Sequence, residues 1–550
     1  MSDLIARGLA KSTATQLAQK ANWINVKAYD AKGDGITNDA ASFTNALNAC
    51  SDFGTLYVPN GVYLLNNFTI TNKSITIQCE SEKVIFIGSG TSSIRFISDW
   101  TDIQSVSTIV NTGIDAVITC TDSSKYAVGD IVKIVSEDVL LGYEGTTYAT
   151  DYGGNLRSAE YKTVIATNTS NNTITVGGLL RYPYTNTVRV GKQGKHTLKL
   201  LSGTLGYLSS TYGIWVTGGM NHEINVSTSD YAEHTSIELE GTYGLRCKAN
   251  IGKKSNESSG ILDRNSSHFT ITYTSKNCRH PFTTGHVRYS TQTMFYCYGV
   301  SEYGVIENCT VDGTVQAAFD SHEQSYGIIY RNSRAINNSQ YVGIQVRGKN
   351  NVYENMHVQG FNGIQVIQGD RTDIGKVTFN GCIIEGSSFV LTKYNAEFNN
   401  CTFICKSYSS NFFITDSTVE FNNCKFYGMN TNTSNNMFRF SGNNMIRFTN
   451  CNVLYGTYDS NCKLFLLYSG TSDIVINNFT VRSEVAASTF KGLRFQTDVY
   501  GDGSKLTVNN IYLDTMNGLS YYAGSDDFGT FTAGLVKTTY PNFTFTLKKM

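Results

Sequence analysis

The sequence predicts an all-β fold: a right-handed single-stranded parallel β-helix with a short N-terminal helix and a small antiparallel β insertion. Three observations predict it. One short motif recurs at steps of 19 to 28 residues along the C-terminal two thirds of the chain. Only 4 of 550 residues are proline, which cannot donate to a sheet ladder. Aromatic residues suited to pleated surfaces are abundant, with 34 Tyr and 29 Phe, while charged residues are only 16 %. A chain this long and this uniform does not suit one compact core. A solenoid escapes that limit by adding core rung by rung.

Residues 1–22 read as an amphipathic helix with Leu4, Ile5, Leu9, Leu17 and Ala21 on one stripe. The stretch lacks the apolar centre of a signal peptide, and no apolar run reaches the roughly 18 residues of a membrane span. The expectation is a chain that is neither exported by the usual route nor anchored in a membrane. The 13 cysteines include no CxxC pair, which points to buried reduced thiols and assembly in a reducing compartment. Lys+Arg and Asp+Glu balance at 44 each, so nothing calls for nucleic acid or an acidic membrane. The same balance argues against a polyanionic substrate unless basic groups gather locally.

Residues 23–103 read as the cap and first rungs. Trp23-Ile24-Asn25-Val26 leads into Asp30-Ala31-Lys32-Gly33-Asp34-Gly35-Ile36-Thr37-Asn38-Asp39, then a helix that Asn38 or Asp39 caps and that turns Phe43 and Leu47 inward. A strand–turn–strand follows at Leu56-Tyr57-Val58-Pro59-Asn60-Gly61-Val62-Tyr63. This stretch resembles the opening of the pectate-lyase-like superfamily found in phage tail spikes, which combines an AKGDG-T-DD loop, a capping helix and VPxGxY. It departs from that pattern at Asp30, where glycine is usual, and at Asn38, where aspartate is usual.

Residues 104–192 change rhythm. Alternating runs such as Ile131-Val132-Lys133-Ile134 and Asn172-Thr173-Ile174-Thr175-Val176 predict the antiparallel insertion. Tyr143, Tyr148, Tyr152 and Tyr161 offer a sugar-binding surface or ordinary packing. Residues 193–515 carry the main β-helix. Its motif runs through Asn308-Cys309, Asn332-Ser333, Asn355-Met356, Gly381-Cys382, Asn400-Cys401, Asn423-Cys424, Asn450-Cys451 and Asn478-Phe479. A repeated Asn either stacks as an amide ladder or occupies a bend in the left-handed region. Residues 516–550 lose the motif. Phe528, Phe531, Phe543 and Phe545 suggest a β cap or a trimer clasp.

The chemistry concentrates in Arg279-His280-Pro281-Phe282-Thr283-Thr284-Gly285-His286 and Phe319-Asp320-Ser321-His322-Glu323. Alternation points Phe319, Ile344 and Ile364 inward. It stacks Asp320, Gln345 and Gln365 on one outward face, with His322 and Arg347 one pleat along. Asp320, His322 and Glu323 are the candidate catalytic residues. Arg279, His280, Gln345, Arg347, Gln365 and Asp370 are the candidate substrate-binding residues. Glycoside hydrolysis needs two carboxylates, with Asp320 and Glu323 the local pair. Glu302, Asp312 and Asp370 are alternative second acids. Phosphodiester cleavage fits as well, with the arginines holding phosphate and the histidines as acid and base. A lyase fits less well. No metal site is predicted, and a divalent cofactor cation is left open.

The RH-x-x-TTG and FDSHE stretches resemble those of tail spikes and neck appendages of phages that infect Gram-positive bacteria. The resemblance implies a homotrimeric virion protein, joined to phage tail or neck proteins through its N-terminus. It would act at the host surface as a depolymerase of wall teichoic acid or of capsular or cell-wall polysaccharide. A non-catalytic receptor-binding fibre is the alternative. A secreted pectin-degrading enzyme is weakened by the missing signal peptide.

Overall fold

The computed structural model describes residues 23–143, 156–206, 209–229, 235–252, 259–285, 294–314, 316–338, 341–367, 373–405, 412–429, 436–455, 463–467, 470–483, 494–497, 505–514, 520–523, 526–530 and 544–549. The predicted helix over 1–22 lies outside them, as do Tyr148 and Tyr152. The chain is nearly all β, a parallel β-solenoid as the repeat predicts. It divides into two units. Among the described residues no helix is long and apolar enough to cross a membrane.

In the first unit, Gly54–Val58, Ile75–Cys79, Leu198–Leu205, Glu223–Thr228 and Arg246–Ile251 stack in parallel, each paired with the next. A second ladder runs through Phe68–Thr71, Ser89–Ser98, Ser209–Gly218, Ile237–Glu240 and Ser259–Arg264. The helix Ala40–Ala49 packs Phe43 edge-on against Tyr63, Phe68 and Phe86 at 5.3, 5.5 and 6.3 Å. Asp39 is its N-cap residue, and Asn38 Oδ1 accepts the Ala40 N–H at 3.1 Å. Asp39 is buried and turns back instead, accepting the N–H groups of Lys32 and Gly33 at 2.6 and 2.9 Å. That carboxylate ties the AKGDG loop to the helix start.

Leu198 pairs with Ile75, so the solenoid resumes after a long excursion. Within it, six strands close an antiparallel barrel: Thr101–Asn111, Asp115–Cys120, Ile131–Val139, Arg157–Asn168, Thr173–Gly177 and Arg189–Lys192. Alternating side chains fill it, among them Ala116, Ile118, Val132, Ile134, Val164, Ile174, Val176 and Val190. Tyr161 and Tyr143 are 5 % and 1 % exposed, which is core packing and removes them from any sugar-binding surface. Closure satisfies every barrel edge, and Tyr161 packs outside the barrel core, with Trp100, Ile131, Val135, Ala159 and Phe295.

In the second unit the motif's role is visible. Its first residue ends up in a stack of rings, Tyr330, Tyr353, Phe379, Phe398, Phe421 and Phe448, with successive centroids 4.6, 4.9, 4.8, 5.1 and 5.0 Å apart. The residue after the Asn is buried in each rung described: Cys309, Ser333, Met356, Cys382, Cys401, Cys424, Cys451 and Phe479. In most rungs the Asn sits at the bend between two strands, for example between Tyr394–Asn399 and Thr402–Cys405, while Asn450 and Asn478 bend the single long strands Asn444–Tyr455 and Ser472–Ser483. Asn308, Asn332, Asn355, Asn400, Asn423, Asn450 and Asn478 all have φ between 50° and 57°. Gly381 fills the same slot at φ 62°. Some of these amides also form a ladder, as Asn478 Nδ2 donates to Asn450 Oδ1 at 2.9 Å. Both expected roles therefore occur together. Asn423→Ala is expected to cost about 1–2 kcal/mol, the price of the left-handed region for an ordinary residue, and Asn423→Gly far less. Thermal melting of the two variants checks this.

Beyond the repeats, Lys505–Asp514 continues the parallel ladder of Ser472–Ser483, and Thr544–Lys549 pairs with it in turn. Ser520–Ala523 and Asp526–Thr530 form an antiparallel pair. Of the tail phenylalanines in the sequence reading, Phe531 and Phe543 lie outside the described residues. The twelve described cysteines are all buried and unbridged.

Candidate functional site

The site lies within the second unit. His280–Thr284, Ala317–Ser321, Val342–Val346 and Asn362–Ile367 are neighbouring parallel strands of one ladder. Phe319, Ile344 and Ile364 are in register and buried. Asp320, Gln345 and Gln365 are in register on the opposite parity, and Gln345 Nε2 reaches Gln365 Oε1 at 3.5 Å.

Beyond Ser321 the chain turns tightly against the preceding rung. His322 N–H donates to Thr284 O at 2.9 Å, and Gln324 N–H to Gly285 O at 3.2 Å. Gly285 has φ 70°, and a Cβ there would meet the Gln324 carbonyl carbon at 2.4 Å. Only glycine permits this approach. The turn returns Glu323 beside His322, while Arg347 comes from the next rung, its N–H on Ser321 O at 2.9 Å.

The side chains converge. Asp320 is fully buried and Glu323 is 6 % exposed. His322 Nε2 lies 2.9 Å from Asp320 Oδ2, and its Nδ1 lies 3.5 Å from Glu323 Oε2. Arg347 spans the group: Nη2 is 3.3 Å from Asp320 Oδ1 and 2.7 Å from His322 Nε2, and Nη1 is 3.4 Å from Glu323 Oε1. A guanidinium can only donate. With Arg347 in this position a neutral His322 accepts at Nε2 and turns Nδ1–H toward Glu323. A protonated ring gives Nε2–H to Asp320 instead.

Burial pushes both carboxyl groups up, and their cationic neighbours more than reverse it. The charges of His322 and Arg347 hold Asp320 far below the usual carboxylate range. A hydrogen bond from His322 and the Arg347 charge bring Glu323 to about 2. Burial pushes His322 down, but the Asp320 charge together with hydrogen bonds to Asp320 and Glu323 outweighs it and the net direction is up. His280 moves down, mainly through burial. Two imidazoles in one cluster are thus driven apart, one toward the cation and one toward the neutral ring.

His280 faces Asp320 through Nδ1, 3.6 Å from Oδ2. Its Nε2 and the Nε of Arg279 both reach Gln316 Oε1, at 2.8 and 2.7 Å. Gln316 was missed from sequence, although alternation from Phe319 places it on the same face as Asp320. The structure therefore brings together Asp320, His322, Glu323, Arg347, His280 and, through Gln316, Arg279. Gln345 and Gln365 lie on the adjoining rungs. Asp370 lies outside the described residues. Asp312 is on another ladder, where Asn337 Nδ2 donates to it at 2.6 Å, and Glu302 is buried in a short bridge with Tyr326.

Residues 23–195 match the family model described as rhamnogalacturonase A/epimerase, pectate lyase-like. No curated protein sequence matches the chain. Among solved structures, the tailspike protein gp49 from Pseudomonas phage LKA1 is similar at 15 % identity and a TM-score of 0.61, over 87 % of this chain and 83 % of that one. The gp54 tailspike of Acinetobacter baumannii bacteriophage AP22, in complex with A. baumannii capsular saccharide, is similar at 12 % identity and a TM-score of 0.50, over 90 % and 78 %. At such identities the likeness shows the fold, a parallel β-helix.

Proposed function

We propose that this chain is a phage tailspike, carried on the virion tail, that binds a bacterial surface polymer and hydrolyses it during adsorption. The polymer is wall teichoic acid or a capsular or cell-wall polysaccharide. The observation that carries the reading is the convergence of two buried ionised carboxylates, two imidazoles and a guanidinium at one point of a β-helix face. Alternation alone would leave solvated polar residues there. Burying such a group costs free energy that packing alone does not require, and perturbed titratable clusters concentrate at functional sites. The fold shared with the two tailspikes, one of them bound to a capsular saccharide, supports the same reading.

The cluster suits hydrolysis of a glycosidic or phosphodiester bond. Asp320 and Glu323 supply charge, and the imidazoles supply proton donor and acceptor in opposite protonation states. Arg347 and Arg279 orient the polymer. The N-terminal segment attaches the spike to tail or neck proteins, and the working form is a homotrimer.

The test is to incubate the purified chain with walls and capsules from several bacterial hosts. Reducing sugar, phosphate esters and unsaturated-sugar absorbance are followed in parallel. Release of either of the first two products is expected and names the bond. Unsaturated sugar would replace hydrolysis with elimination. Tight wall binding with none of the three products would leave a receptor-binding fibre.

A further inference from the structure

Gln316 needs an explanation that the buried charges do not provide. It is exposed, unlike the carboxylates below it. Its Oε1 receives two side-chain donors at once, Arg279 Nε–H at 2.7 Å and His280 Nε2–H at 2.8 Å. A guanidinium cannot accept, so the amide must present its oxygen here, and His280 must donate through Nε2. The inner nitrogen of the same ring looks back at Asp320 Oδ2, 3.6 Å away. The ring's outer N–H thus points at the surface, next to a guanidinium edge.

Two donors, one of them cationic, converge on one point at the surface; an amide oxygen can accept both, but an anionic oxygen would be held more strongly. Charge-assisted hydrogen bonds are roughly twice as strong as neutral ones, and arginine matches carboxylate and phosphate geometry. We propose that Gln316 Oε1 occupies the seat of an anionic oxygen of the substrate, so that the site selects an acidic polymer. That oxygen belongs to the carboxylate of an acidic sugar or to a backbone phosphodiester. Exchanging an amide oxygen for an anionic one is favourable at this seat, whereas exchanging it for a hydroxyl gains little. The whole chain is charge-balanced at 44 against 44. Locally, however, Arg347 and the two imidazoles lie against Asp320 and Glu323, and Arg279 joins them at the rim through Gln316.

The inference rests on the reading of this cluster as the polymer site. The experiment measures binding of the full chain to three wall preparations from a host whose wall it degrades: native, carboxyl-reduced with carbodiimide and borohydride, and phosphate-stripped with hydrofluoric acid. Affinity is expected to fall at least tenfold after one of the two treatments, and which one names the anion. Gln316→Glu, which installs an internal carboxylate in the seat, is expected to weaken native-wall binding by tenfold or more. Gln316→Ala, which empties the seat, should bind equally well or better. Affinity that survives both treatments, or that ignores Gln316→Glu, overturns the proposal while leaving the depolymerase reading intact. Absence of both binding and product on every host wall overturns the two together.

Discussion

Asp320→Asn is expected to lower product release from a degraded wall by about 10²–10⁴-fold, the range spanned by a positioned acid–base group. The substitution keeps volume and shape, and deletes the charge that organises the cluster. Asp320 is the group that His322, Arg347 and His280 all face, within 2.9, 3.3 and 3.6 Å. Its charge is what lifts His322 against the downward push of burial. Without it, His322 should titrate below its ordinary 6.5 rather than above it. A merely structural carboxylate would alter melting and leave the shape of the pH profile alone. The decisive readout is therefore the alkaline limb of the rate profile, which should move to lower pH in the variant at whatever residual rate survives. An unchanged limb, or an unchanged rate, would take Asp320 out of the chemistry. Wall binding in the same variant separates the two losses, since Arg279 and Gln316 at the rim are untouched.

How much of this was legible in the sequence follows from which forces act locally. The ring stack, the buried residue after each Asn and the register of Phe319, Ile344 and Ile364 come from a period-two pattern repeated over many rungs. A one-residue slip would turn every such side chain to the wrong face, so the pattern leaves one solution. The Asn bends were legible for a similar reason, because few residues accept φ near 55°. The depth of Asp320 was not legible. Alternation says that it leaves the core but not that His280, His322 and Arg347 close over it from three neighbouring strands or turns. Gln316 shows a different failure: its parity was readable, but a glutamine before two alanines carries no chemical signal of its own. Barrel closure in the insertion was hidden too, since strand order is decided by pairing between segments far apart in sequence. Tyr143 and Tyr161 looked like a surface because burial of a tyrosine depends on partners far away in sequence, such as Trp100 and Phe295 for Tyr161.

Arg347→Met is expected to destabilise the second unit by about 3–5 kcal/mol, the usual cost of leaving buried charge without its partner. Arg347 is the permanent cation against both carboxylates, reaching Asp320 at 3.3 Å and Glu323 at 3.4 Å. Adding Asp320→Asn and Glu323→Gln to Arg347→Met should recover most of the loss, because the triple variant leaves nothing charged to compensate except the histidines. Melting of the three proteins at pH 7 checks this, and equal melting of Arg347→Met and wild type would mean that water reaches the carboxylates. Acid probes the same balance with a defined sign. Glu323 is depressed from 4.5 to about 2, so its contribution is present above pH 4.5 and is lost as pH falls toward 2. At 1.36 kcal/mol per unit that contribution is about 3 kcal/mol. Asp320 adds to it in the same direction. His322, raised, stabilises below 6.5 and loses its contribution as pH climbs through its folded value, while His280, lowered, does the reverse. The histidines therefore oppose each other near neutrality, and Asp320 and Glu323 dominate what this cluster contributes to the acid limb below pH 4.5. Glu323→Gln should flatten that limb below pH 4.5, and it is at the same low pH that a spike dependent on this cluster should release its polymer.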